Sequence, residues 1–182
     1  LSNERYKFAS MLDKKIEKEF KPLKLELAKF KTEIIRVQGS KFGCDHVCFT
    51  TEINPGSGFK PLNKIASGGE LSRFLLAAKL CFFGEDNKKT QIFDEIDRGV
   101  GGATASAIGK RLLELSKHEQ VLVVTHSPQV AAYSDNHLKV EKVNSDKSTI
   151  TKVTTLNEEN TVKEIARMLS GELVTSEALA AA

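Results

Sequence analysis

The stretch KIASGGELSRFLLAAKL, Lys64–Leu80, places two glycines immediately before an apolar pattern with helical spacing. Two interpretations of this helix start remain open. Ser67 and Glu70 have the spacing of a capping box, in which side chains satisfy the first free N–H groups of a helix. The same N–H groups attract anions, and Gly68 and Gly69 would let the backbone approach a phosphate closely. Capping alone does not require two glycines in series.

An acidic segment follows the next apolar strand, in the sequence QIFDEID, Gln91–Asp97. Side chains alternate along a strand, so Asp94 and Glu95 should point in different directions. One carboxylate could hold Mg²⁺, usually through water, while the other orients an attacking water. The alternative is a solvated turn that has no chemical role. Carboxylates beyond the carboxyl end of a parallel strand lie where α/β sheets bind ligands.

A second buried strand, VLVVT at Val121–Thr125, also ends in a polar group, His126. If the two strands are neighbours, their ends should lie close together. A histidine at this position can donate to a phosphate oxygen, or it can simply be exposed. Ser127 and Pro128 also fit the N-cap and the first position of a short helix.

The alternation of apolar strands and helices predicts an α/β fold with a mostly parallel sheet covered by helices. An amphipathic helix should come first and end near Lys21, since Pro22 disfavours its continuation. Two alternating strands should follow, and an antiparallel hairpin should turn at Asn144–Lys147. The predicted first helix has its apolar stripe at Phe8, Leu12, Ile16 and Phe20. The later helices are predicted at about Glu70–Phe83, Ala103–Leu115, Pro128–Tyr133 and from Glu158 onwards, with a strand at Thr90–Phe93.

The composition is that of a globular protein of 182 residues with a net charge of +3. This mild charge permits contact with an acidic polymer without arguing for it. Cys44 and Cys48 flank His46 but lack a second ligand pair, so we expect reduced thiols and a cytoplasmic protein rather than a zinc site. The sequence contains no apolar run long enough to span a membrane. Because the chain begins at Leu1, we expect it to be part of a longer protein.

A complete phosphate-binding P-loop, G-x-x-x-x-G-K-[ST], is missing from the sequence. The segment around Gly109 and Lys110 fails the pattern twice, because Thr104 replaces a required glycine and Arg111 a required hydroxyl. We therefore predict an amphipathic helix there. The chain has candidate magnesium, base and phosphate-sensing groups without the lysine that usually accompanies them.

Taken in order, these motifs resemble the C-terminal part of an ABC-type ATPase head of the SMC-like family. KIASGGELSRFLLAAKL looks like the signature motif, QIFDEIDRGVGGATA like Walker B with the D-loop, and VTHSPQVAA like the switch histidine. The glycines at 99, 101 and 102 and the sequence EIARMLSGE are typical of the DNA repair branch of this family. Arg98 departs from the pattern, which has a small apolar residue there.

The resemblance implies a role for each motif residue. Asp94 would be the Walker B carboxylate near Mg²⁺, and Glu95 the general base for water. Asp97 would be the D-loop acid that communicates across a dimer, and His126 would contact the γ-phosphate of ATP. The signature residues Ser67, Gly68, Gly69 and Glu70 would bind ATP held by the other protomer.

The resemblance also implies a domain organisation. Residues 1–22 would be the root of a returning coiled coil, and residues 23–182 the C-terminal lobe of an ABC ATPase (P-loop NTPase) head. The P-loop would lie in an N-terminal lobe, on the far side of a long coiled coil. This chain alone should therefore show no ATP turnover.

The function implied is ATP binding and hydrolysis in DNA double-strand break repair and recombination. The expected partners are DNA, the N-terminal P-loop lobe and a second copy of the protein, with heads joined by ATP and no membrane contact. The protein would be cytoplasmic and associated with the nucleoid. The alternatives are a chromosome-organising SMC ATPase, a transporter nucleotide-binding domain and a non-catalytic interaction module. The glycine-rich sequence after Asp97 argues against the first, and the Lys/Glu-rich N-terminal helix against the second.

Overall fold

The computed structural model describes residues 1–65, 67–82, 90–145, 148–171 and 175–182. The described elements are α-helices and β-strands, together with a 3-10 turn at Leu62–Lys64. The strands are β1 (Lys29–Ser40), β2 (Gly43–Glu52), β3 (Lys60–Pro61), β4 (Thr90–Asp94), β5 (Gln120–Val124), β6 (His137–Ser145) and β7 (Ser148–Leu156). The helices are α1 (Ser2–Phe20), α2 (Gly68–Cys81), α3 (Gly102–Ser116), α4 (Pro128–Ala131), α5 (Glu158–Ser170) and α6 (Ser176–Ala181).

Strands β4 and β5 form the parallel pair that the sequence predicts, with Asp94 opposite Val124 at their carboxyl ends. The α/β class is confirmed. In the described part of the chain, however, parallel pairing is confined to these two strands, and the β1–β2, β2–β3 and β6–β7 pairs are antiparallel. The difference has a simple cause, because strands that follow each other through short turns can pair only antiparallel. The predicted hairpin between β6 and β7 is present; its tip, residues 146–147, lies outside the described residues.

The core lies where α1, α2 and α3 meet the β4–β5 pair. Phe20 of α1 packs edge-on against Phe74 of α2, with ring centroids 4.8 Å apart. Ile16 and Phe20 are buried as predicted, but Phe8 is 65% exposed and Ala9 is buried in its place. The apolar stripe is therefore wrong at its N-terminal end. There α1 faces the β1–β2 hairpin, and polar groups make the contact.

Helix α1 is attached to β1 along its length by its own carboxylates. Asp13 Oδ1 accepts hydrogen bonds from the backbone N–H of Thr32 at 3.0 Å and from its hydroxyl at 2.7 Å. Glu17 Oε1 accepts from the N–H of Phe30 at 3.1 Å. Near the start of α1, Arg5 pairs with Asp45 of β2 at 2.9 Å. The helix thus packs on the sheet rather than extending away from it, and the coiled-coil assignment of residues 1–22 stays a prediction.

No helix in the described parts of the chain is both long enough and apolar enough to cross a membrane.

Candidate functional site

The carboxyl end of β4 continues into a tight acidic loop, residues 95–99. The N–H of Glu95 donates to the carbonyl of Val124 at 3.3 Å, which extends the pairing with β5 by one residue. Glu95 itself has φ 49°, a left-handed conformation that is uncommon outside glycine. The N–H of Arg98 then donates to the Glu95 carbonyl at 3.0 Å, and Gly99 has φ 72°. Such unfavourable backbone geometry tends to persist where function requires it.

The polar end of β5 is bonded directly to this loop. Asp97 is buried, and the hydroxyl of Thr125 donates to its Oδ2 at 2.6 Å. The same hydroxyl accepts the N–H of Ser127 at 2.9 Å. The two strand ends that the sequence predicted to be neighbours therefore meet through a Ser127–Thr125–Asp97 chain of hydrogen bonds.

The remaining predicted polar residues at this edge face solvent. The side chains of Asp94, Glu95 and His126 are exposed, with His126 directly after Thr125. Arg98, the residue that departs from the family pattern, donates to Glu95 Oε2 at 3.0 Å in an exposed ion pair. Exposed pairs of this kind contribute little stability, so Glu95 can exchange this partner for another at low cost.

The two glycines at the start of α2 have different surroundings. Ser67 caps the helix, because its Oγ accepts the Glu70 N–H at 3.4 Å, as the capping interpretation predicts. Gly69 is buried, and a Cβ there would lie 3.5 Å from the Arg98 carbonyl oxygen. Gly68 is exposed, and a Cβ on it would meet no described atom within 4 Å. Gly69 thus lies in ordinary van der Waals contact with the acidic loop, and the space beside Gly68 is free of described atoms.

Arg73 is a residue of this site that the sequence prediction missed. It lies one turn after Gly69, is 6% exposed, and donates from Nη1 to the carbonyls of Ile96 and Arg98 at 3.4 Å each. Burial lowers the pKa of the guanidinium, an effect that the nearby Glu70 carboxylate opposes. The only signal in the sequence was a single arginine within an apolar helical pattern.

The polar side chains at the strand ends suit Mg²⁺ better than a metal ion whose ligands must all come from the protein. Among the described residues, no group of three or more His, Cys, Asp or Glu side chains could hold a metal ion. Mg²⁺ typically uses only one or two carboxylates and completes its shell with waters and substrate phosphates. The exposed carboxylate of Asp94, at the end of β4, fits that requirement.

Gly109, the glycine of the incomplete P-loop match, lies buried within α3, and the amphipathic helix predicted there is confirmed. A Cβ at this position would be 2.5 Å from Tyr133 Cδ2 and 3.1 Å from the Gln129 carbonyl oxygen. The glycine therefore allows α3 and α4 to approach closely and has no phosphate-binding geometry.

The fold resembles solved head domains of SMC proteins. A chain from a study of ATP-driven dimerisation and DNA-stimulated activation of SMC ATPases superposes with a TM-score of 0.54 at 18% identity, covering 95% of this chain and 99% of that one. The Smc head domain of Pyrococcus yayanosii, with a coiled coil and joint, gives a TM-score of 0.57 at 20% identity over 89% of this chain and 29% of that one. The fold is therefore that of an SMC-type head.

Similarity in sequence is closer and more specific. The chain is 44% identical to DNA repair protein RecN of Rickettsia bellii over all of its length, 39% identical to that of Vibrio cholerae over 99%, and 48% identical to that of Streptomyces coelicolor over 71%. It spans about a third of the Rickettsia and Vibrio proteins, 33% in each, and matches their C-terminal part. The chain is therefore similar to the C-terminal third of RecN proteins. No family model matches it.

Proposed function

We propose that this chain is the C-terminal lobe of an ATPase head in a RecN-like protein that acts in DNA double-strand break repair and recombination. The observation that carries the proposal is the meeting of three sequence motifs at one edge. The Thr125–Asp97 hydrogen bond joins the switch-histidine strand to the acidic loop, and Gly69 places the signature helix against that loop. Relatives named as DNA repair proteins, at 39–48% identity, favour this role over that of a chromosome-organising SMC ATPase.

In the proposed mechanism the protein's own residues position ATP and water. Asp94 would hold Mg²⁺ through water, and the ion would neutralise charge on the phosphates. Glu95 would act as the general base for the attacking water once its exposed pair with Arg98 opens. His126 would contact the γ-phosphate, and the buried Asp97 would hold the loop in register with β5. Because Asp97 is hydrogen-bonded to Thr125, the residue before His126, a shift in the position of His126 would also shift the acidic loop.

The start of α2 would bind the γ-phosphate of ATP held by a partner protomer. The free N–H groups of a helix N-terminus attract anions, and Gly68 leaves open space beside them. Ser67, Gly69 and Glu70 would shape this surface. Two heads would then close only around ATP, and hydrolysis would remove the contacts and let them part.

The ATP that this lobe helps to hydrolyse would be bound by an N-terminal P-loop lobe outside this chain. Parallel strands are normally covered on both faces. Here one face of the β4–β5 pair packs on the core through Phe93, while Ile92, Leu122 and Val124 remain 69%, 43% and 59% exposed. We place the P-loop lobe on this apolar face. Residues 23–182 would be the C-terminal lobe, with residues 1–22 leading in from a coiled coil and the whole protein acting on cytoplasmic, nucleoid DNA.

The test is Glu95→Gln in the full-length protein, with Glu114→Gln on the exposed side of α3 as the matched control. Loss of a general base should slow ATP turnover by about 10²–10⁴-fold, while ATP-dependent dimerisation should persist because the signature surface is unchanged. Equal turnover by the two variants would show that Glu95 is not the base. The chain alone should show no turnover, and a rate abolished by Glu95→Gln in the chain alone would refute the need for an external P-loop.

A further inference from the structure

The buried side chain of Arg73 contacts the backbone of the acidic loop. Arg73 Nη1 donates to the carbonyl of Ile96 and to that of Arg98, the two residues on either side of Asp97. A Cβ on Gly69 would lie 3.3 Å from the same Nη1. The guanidinium therefore lies between the first turn of α2 and the loop, and it touches both.

This arrangement is an unusual one for an arginine. Within the described ranges no carboxylate forms an ion pair with Arg73, and its Nε is buried without a hydrogen-bond acceptor. Burying a charge without a charged partner is unfavourable, and an apolar residue at the same place in the core would usually be tolerated as well or better. The two loop carbonyls are therefore the partners that account for an arginine at this position.

The carbonyls that it binds suggest what the arginine does. Peptide oxygens on both sides of Asp97 carry partial negative charge, and one planar guanidinium can donate to both while keeping a fixed geometry. The arginine is part of α2, so its side chain links the signature helix to the loop. The loop backbone at Glu95 is in an unfavourable left-handed conformation, which needs such external support.

We propose that Arg73 is a positioning residue that fixes the acidic loop, and with it Glu95 and Asp97, relative to the start of the signature helix. This inference rests on the proposed function for its effect on ATP turnover. Its structural part, that Arg73 holds loop 95–99 in place, stands independently of that function. Both bonds come from the single nitrogen Nη1, so a lysine, whose shorter side chain ends in one ammonium nitrogen, should hold the loop only in part.

The experiment uses the full-length protein with Arg73→Met, Arg73→Lys and the control Phe74→Leu. Phe74 neighbours Arg73 in α2 and packs on Phe20 in the core, so its substitution lowers stability through packing alone. The measurements are the melting temperature, kcat and KM for ATP, and amide hydrogen exchange of the peptide covering residues 95–100. Hydrogen exchange reports the loop directly, even where no catalysis is observed.

We expect Arg73→Met to speed amide hydrogen exchange in the loop. It should also lower kcat by at least about 10-fold with KM little changed, since small misplacements of reacting groups have effects of this size on the rate. Arg73→Lys should recover part of both. Phe74→Leu should lower the melting temperature without altering kcat or loop exchange. If loop exchange in Arg73→Met and Arg73→Lys equals that in Phe74→Leu, the positioning role is refuted. If the loop loosens but wild type and Glu95→Gln turn over ATP equally, the proposed catalytic function fails while the positioning role stands.

Discussion

Replacing Gly109 by alanine adds a methyl group where α3 packs against α4. In an ordinary helix interior this change stabilises by about 1 kcal/mol, since glycine is the poorer helix former. Here the new Cβ would lie 2.5 Å from Tyr133 Cδ2 and 3.1 Å from a backbone oxygen of Gln129. Neither atom is the far end of a flexible side chain, so the α4 backbone must move.

Overpacking of this kind costs about 1–3 kcal/mol, and the backbone contact favours the upper end of that range. Subtracting the gain of about 1 kcal/mol in helix propensity leaves a net loss of about 2 kcal/mol. For a chain of this size that loss lowers the melting temperature by about 4–8 °C. The assay is denaturant unfolding followed by circular dichroism, together with a thermal melt.

The control is Gly102→Ala at the start of the same helix, where the nearest contact of the new Cβ is an ordinary 3.6 Å to Gln129 Nε2. We expect its stability to be unchanged or slightly raised. Tyr133→Ala should relieve part of the Gly109→Ala penalty in a double-mutant cycle, because it removes the closest atom while the contact with the Gln129 carbonyl remains. A Gly109→Ala protein that is more stable than wild type would refute the close packing of α3 against α4.

Two further predictions concern buried polar groups. Thr125→Val removes the hydroxyl that donates to Asp97 and leaves a buried carboxylate oxygen without that donor. The free energy of unfolding, measured in denaturant titrations, should therefore fall by about 1–3 kcal/mol. Thr125→Ser keeps the hydroxyl and should stay near wild type. Hydrogen bonds from Arg167 and Lys139 lower the pKa of Glu164. The contribution of Glu164 to stability is therefore complete above the ordinary glutamate pKa of about 4.3. It is lost as the pH falls through the lower pKa of the folded protein. Glu164→Gln should therefore flatten the acid limb of the stability curve, and an unchanged limb would contradict this pairing.

The sequence predicted the elements with strong periodicity well. Strand β7 occupies Ser148–Leu156, as the alternation indicates, and α3 begins and ends within one residue of its predicted bounds. The order of motifs was enough to suggest that the ends of β4 and β5 share an edge, because parallel strands align their carboxyl ends. Elements that are defined by local sequence periodicity can therefore be predicted from the sequence alone.

What the sequence could not show depends on contacts between distant residues. Phe8 fits the apolar stripe of α1, yet it is exposed because the hairpin meets that end of the helix through polar groups. The bonds of Arg73 to two carbonyls more than twenty residues away leave no local trace in the pattern. The left-handed backbone of Glu95 likewise has no signature in the local sequence pattern.

The carboxylates of α1 have a consequence for how the molecule resists unwanted association and transmits force. In the described part of the chain β1 lies at the edge of its sheet, where unpaired N–H groups invite strand addition and aggregation. Asp13 and Glu17 accept hydrogen bonds from the N–H groups of Thr32 and Phe30, so these two donors are not available to a foreign strand. Peeling α1 away would free both donors, so a pull on the helix must break these hydrogen bonds before the helix separates from the hairpin.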